Sequence, residues 1–145
     1  MLFVPAIPKS VLSTGTPSGV KIPQGSLVAP GVLDMVLMDQ EGQYVTPLSM
    51  KYSVLAVDSV GMEHSIGLND LMALSPRTGV HSPYFSVGGS WPTGRYRLRW
   101  EYSLGGTEHS TVRSVDFDVV SSGLYDSRWV GLGLYNIRAT VEVVD

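Results

Sequence analysis

Chemistry in this chain would have to come from few residues. His64, His81 and His109 are its only histidines, and Glu63 and Glu108 stand beside two of them. Brought together, imidazoles and carboxylates could hold a divalent metal. The three histidines fall on separate loops or strand ends, however, and neighbours along a strand point to opposite faces. The expectation is three surface histidines and no metal. Asp39, Glu41 and Gly42 suggest a calcium loop but are too few, because an EF-hand spreads its ligands over about 12 residues and ends in a bidentate glutamate. An acidic turn is the better reading. Gly131-Leu132-Gly133 lacks the third glycine, the preceding strand and the following helix of a dinucleotide site. The sequence contains no Gly-x-Ser-x-Gly elbow, phosphate-binding Gly-x-x-x-x-Gly-Lys loop or His-Glu-x-x-His helix. No catalytic residue and no cofactor is expected, and the chain is read as not an enzyme.

Two further groups could bind rather than react. Arg95, Arg97 and Arg99 could form an anion patch, and Trp91, Trp129 and Tyr125 could offer stacking surfaces to a sugar or a protein. The arginines occupy alternate positions in residues 94–104, with Tyr96, Leu98, Trp100, Tyr102 and Leu104 between them. Strict alternation of this kind marks a strand with one buried face and one wet face, and this strand is read as the central one. After Gly105-Gly106-Thr107 the chain alternates again, with Val115, Phe117 and Val119 facing inward and Ser114, Asp116 and Asp118 outward. The arginine row can then lie beside the aspartate row, and a solvated charge ladder is preferred to a phosphate site. Trp100 is placed in the core by parity.

The composition bounds the rest. At 145 residues without cysteine, the chain suits one domain with a real core and no disulfide. A net charge of −3 gives no electrostatic footprint for nucleic acid. No apolar run approaches the ~20 residues of a membrane span. The start Met1-Leu2-Phe3-Val4-Pro5 lacks the basic region of a signal peptide, so synthesis in a reducing cytoplasm is expected, with neither nucleic acid nor membrane as partner.

Residues 1–30 hold five prolines and three glycines, which block helix and interrupt long strands. Yet Phe3, Val4, Ile7, Val11 and Leu12 are too apolar for free disorder. The segment is read as an extended arm, either an edge strand on its own domain or an arm docked on a neighbouring subunit. Residues 32–38 and 47–58 read as strands, with Leu33, Met35 and Leu37 sharing one face and Leu48, Met50, Tyr52, Val54 and Ala56 another. Residues 59–79 are read as a crossover loop with one helical turn capped by Asn69. Residues 80–87 read as an edge strand because Pro83 breaks them. Beyond Gly123, Tyr135, Ile137, Ala139, Val141 and Val143 alternate with Asn136, Arg138, Thr140 and Glu142, which marks a further strand. That strand pairs either with its own domain or with a neighbour by β-augmentation.

Short strands, Gly/Pro turns and almost no helix indicate an all-β, immunoglobulin-like antiparallel β-sandwich over 31–120, with the arm (1–30) before it and an extension (121–145) carrying an additional C-terminal strand. Gly94-x-Tyr96-x-Leu98 has the form of an immunoglobulin F strand with its tyrosine corner, Leu98 standing where that family has cysteine. Gly42-x-Tyr44-Val45-x-Pro47, Pro83-Tyr84-Phe85, Pro92-Thr93-Gly94-Arg95-Tyr96-Arg97-Leu98-Arg99-Trp100 and Asp116-Phe117-Asp118-Val119-Val120 together resemble the immunoglobulin-like domains of structural proteins in tailed bacteriophages. The resemblance covers roughly 31–120. It implies a passive assembly module of a capsid decoration, neck or tail component, made in the host cytoplasm and located in the virion, whose partners are other virion proteins and copies of itself. On that expectation Phe3, Val4, Ile7, Val11, Leu12, Trp91, Trp129, Tyr135, Ile137 and Val141 are interface candidates. The alternative is a carbohydrate-binding or adhesion module using Trp91, Trp129 and Tyr125.

Overall fold

The computed structural model describes residues 20–105, 110–121 and 140–144. Among these every regular element is a strand: β1 (Lys21–Pro23), β2 (Leu27–Val28), β3 (Met35–Met38), β4 (Ser49–Val57), β5 (Glu63–Met72), β6 (Leu74–Arg77), β7 (Val80–Ser82), β8 (Phe85–Ser86), β9 (Gly94–Ser103), β10 (Ser110–Val120) and β11 (Thr140–Val143). They form a five-stranded sheet ordered β1-β10-β9-β4-β5, a four-stranded sheet ordered β11-β3-β7-β6 and a short β2-β8 ribbon.

β9 sits at the centre of the larger sheet, as its alternation predicts. Tyr96, Leu98, Trp100 and Tyr102 are buried while Arg97, Arg99 and Glu101 are not. It pairs antiparallel with β10 from Gly94↔Val119 to Ser103↔Ser110, so Phe117 lies opposite Tyr96 and Val115 opposite Leu98. β4 covers its other side, with Tyr52 opposite Trp100 and Val54 opposite Leu98. The second sheet supplies Met35 and Leu37, both sealed from solvent. Each such side chain contributes about 1.5–3 kcal/mol on burial. The Tyr52 hydroxyl donates to the Tyr84 carbonyl (2.9 Å) and accepts from the Tyr84 amide (3.1 Å), which fixes the connection between β7 and β8 against β4. Tyr96 donates its hydroxyl to the Pro92 carbonyl at 2.7 Å.

Several expectations are corrected. Residues 59–79 are two strands and tight turns, with no crossover loop and no helical turn. Asn69 turns its amide to Ser65 Oγ (3.1 Å) and caps nothing, while Gly67 (φ 88) and Asp70 (φ 52) bend β5 along its pairing with β4. These irregularities break the period of two on an exposed edge strand, which hid the strand from pattern reading. Leu33 is buried but adopts φ 61 ahead of β3, so it reaches the core from a turn. Leu48 has the parity of Met50 yet is 72% exposed. β7 lies between β3 and β6, and Pro83 comes after it, so β7 is not an edge.

Both sheets are completed by segments outside the expected 31–120 core. β1 adds in parallel to β10, with Ile22 opposite Val119, and β2 pairs with β8. Val20, Ile22 and Val28 are buried, so residues 20–30 pack on their own domain. β11 adds in parallel to β3, Val141 opposite Val36 and Glu142 opposite Leu37. Its expected faces are corrected: Val141 is buried as expected, but so are its neighbours of the other parity. Thr140, Glu142 and Val144 are buried, whereas Val143 is only half-buried.

Candidate functional site

Most of the charged side chains that could do chemistry are spent on one another. On the outer face of the larger sheet, register places Arg97 opposite Asp116 and Arg95 opposite Asp118. Arg97 grips Asp116 through two parallel bonds, Nε to Oδ1 at 2.7 Å and Nη2 to Oδ2 at 3.1 Å, the bidentate geometry that guanidinium and carboxylate share. Its Nη1 reaches Glu63 Oε2 on β5 at 2.7 Å, and Arg99 bonds the other oxygen of Glu63. Arg95 bonds Asp118 Oδ1 at 3.1 Å, and Lys21 on β1 approaches Asp118 at 3.8 Å. Asp116 first and Glu63 second hold the Arg97 guanidinium above its ordinary pKa. The Arg97 and Arg99 bonds hold the Glu63 carboxyl below the usual carboxylate range, against the opposing effect of burial. The expected charge ladder is present, with Glu63 added from a strand that pattern reading missed.

A second ionic group lies inside the sandwich. Glu142 on β11 is sealed from solvent and accepts from Arg113 Nε at 2.8 Å and from the Tyr102 hydroxyl at 3.2 Å. Arg113 has inward parity on β10 and Tyr102 lies on β9, so a carboxylate on one sheet is held by two donors on the other. Burial first, and the neighbouring Glu142 charge second, push the Tyr102 hydroxyl up to about 12. Periodicity placed Glu142 on the wet face. The one local sign was Arg113, a cation at an inward position of β10, which calls for a buried anion.

The remaining candidates separate. His64 is exposed and bonds Asp58 Oδ2 at 2.8 Å. His81, expected at the surface, is buried on β7, and burial lowers its pKa. Among the described residues no group of three or more His, Cys, Asp or Glu could hold a metal. Trp91 is half-buried. Its ring stacks on Tyr96 (centroids 5.2 Å apart) and Phe85 (6.2 Å), and its carbonyl accepts from Gln24 Nε2 at 2.6 Å, so it caps the core. Val141 is buried against its own chain. Phe3, Val4, Ile7, Val11, Leu12, Tyr125, Trp129, Tyr135, Ile137 and His109 lie outside the described residues.

Compared with known protein families, curated proteins and solved structures, the chain matches none.

Proposed function

We propose that this protein is a non-enzymatic structural module of a bacteriophage virion, an immunoglobulin-like sandwich that assembles with copies of itself and with other virion proteins. Three features support the immunoglobulin-like reading. The order β10-β9-β4-β5 corresponds to G-F-C-C′ of a variable-type domain, and β3-β7-β6 corresponds to B-E-D. Tyr96 makes the hydroxyl-to-backbone bond of a tyrosine corner at the head of the F-like strand. The place beside the B-like strand is taken by β11, which arrives in parallel from the end of the chain.

One observation carries the assembly role. The outermost strand at one side of each sheet, β1 and β11, belongs to a terminal stretch of the chain and is added in parallel. The apolar Pro-rich residues 1–19 directly precede β1, which among the described residues is the outermost strand of the larger sheet, and a sheet edge is where a further chain can add. In a symmetric particle many modest contacts of this kind combine through high effective concentration.

Particle incorporation tests the reading. A chain lacking residues 1–19 should remain folded by circular dichroism and be lost from purified particles. Retention at wild-type copy number would overturn the arm's role, and absence of the full-length protein from particles would overturn the reading itself.

A further inference from the structure

A recess at the β6–β7 hairpin is built from three parts of the chain. Its volume is about 340 Å3, and it is lined by Thr46 from the connection between β3 and β4, Ser75 and Arg77 of β6, Thr78 and Gly79 of the turn, and His81 of β7. Every side chain among these is polar, and none is acidic. The turn is held in place by packing. Gly79 adopts φ 79, and a Cβ there would collide with the Tyr44 side chain lying over it. Glycine therefore lets the turn close beneath Tyr44, and the shape of the recess is set before anything enters it.

Arg77 is the unspent charge of this recess. The other described arginines each hold a carboxylate: Arg95 that of Asp118, Arg97 that of Asp116, Arg99 that of Glu63 and Arg113 that of Glu142. The Arg77 guanidinium makes no ion pair or hydrogen bond among the described residues. Asp34 shares an adjoining recess with it, but turns both carboxylate oxygens to the Gly31 amide, 3.1 Å from each. His81 adds a second unspent group. It is buried in the wall of the recess, and its Nε2 has no hydrogen-bond partner, whereas buried polar atoms as a rule find one. Burial lowers its pKa, so at neutral pH the ring is uncharged and keeps one N–H donor. A guanidinium and several hydroxyls with no carboxylate among them form the donor set that suits an oxyanion. A metal cation would find no anionic ligand here, and a neutral ligand would leave the guanidinium unused. We infer that this recess binds a small oxyanion, a carboxylate or phosphate group, anchored by the Arg77 guanidinium and received by the hydroxyls of Thr46, Ser75 and Thr78. The volume lies at the small end of ligand sites, which run from roughly 300 to 1,000 Å3. The inference goes beyond the assembly reading and does not depend on it.

Two-dimensional NMR of the full chain tests it, with inorganic phosphate and, separately, acetate titrated in at constant ionic strength so that general screening does not change. The Arg77 Nε–H and the Thr78 and Gly79 amides should shift together and saturate, with the His81 ring nitrogens moving alongside, while the Nε–H signals of Arg95 and Arg97 stay in place. Arg77→Gln should weaken binding about tenfold or more, the loss of a charge-assisted contact, and Ser75→Ala a few fold. Both side chains are exposed, so melting curves should show both variants folded. Arg95→Gln removes the same charge from the outer ladder and should leave binding unchanged. Shifts that never saturate, or that fall equally in the Arg77 and Arg95 variants, would mean an adventitious ion only and overturn the site. Full affinity in Arg77→Gln, or no shift at Arg77 with either anion, would overturn it as well. Incorporation into particles is measured separately, so failure here would leave the virion reading standing, and saturable binding by a protein absent from particles would leave the site standing without that reading.

Discussion

Arg97 and Arg113 are held by carboxylates at closely similar distances, 2.7 and 2.8 Å from Nε to oxygen, yet they sit in opposite electrostatic worlds. Arg97 belongs to a ladder on the outer face of the larger sheet, where its own side chain is 26% exposed, that of Asp116 11% and that of Glu63 29%, so water reaches the group. Arg113 reaches inward to Glu142, whose side chain is 1% exposed. Outside, losing one partner leaves a charge that water can solvate. Inside, it leaves a carboxylate with nowhere to go. Geometry alone therefore says little about what an ion pair contributes; the exposure of the weaker-solvated partner decides it.

The most forceful way to test that contrast is Arg113→Met, which strands the Glu142 charge between the sheets and should cost about 3–5 kcal/mol, read as a lower urea midpoint at unchanged slope. Adding Glu142→Gln should recover a good part of the loss, since a neutral amide is easier to bury than a carboxylate that has lost its cation; a double variant no better than Arg113→Met would break the comparison. On the outer face Arg97→Ala should cost about 1 kcal/mol, and that difference should shrink in 1 M salt, where the screening length is roughly 3 Å, while the cost of Arg113→Met stays put. The smallest effect is in acid. The Glu63 carboxyl titrates lower when folded than when unfolded, so its contribution is complete above the unfolded value of about 4.3 and disappears as pH falls through the lower folded value. Glu63→Gln should accordingly flatten the stability profile below about pH 4 and leave it unchanged near neutrality in shape.

The same contrast separates what could be read along the chain from what could not. Residues 94–120 announced their two faces because β9 and β10 are long, regular and central, so alternation survives intact from Tyr96 to Tyr102 and from Val115 to Val119. That the arginine row can lie beside the aspartate row followed from the alternation; which arginine meets which aspartate is set by the register of the pairing. Glu63 escaped notice because β5 is an edge bent at Gly67 and Asp70, and a bent edge loses its period. His81 was misplaced outward because the three residues of β7 are too few to show a pattern, and its burial comes from β3 and β6 on either side.

Read alone, the amino-acid order determined the all-β character, the inward and outward rows of β9 and β10, and the acidic turn at Asp39–Gln43, because each is a local property of backbone sterics or of a two-residue repeat. Tertiary structure decided that β1 and β11 close the two sheets in parallel, that Thr140 and Glu142 are buried along with Val141, and that Trp91 caps the core. Alternation tells which side chains share a face; only the position of the opposing sheet determines which face water can reach, and at β11 that sheet presents the Arg113 guanidinium and the Tyr102 hydroxyl, which make the buried face a place for a carboxylate.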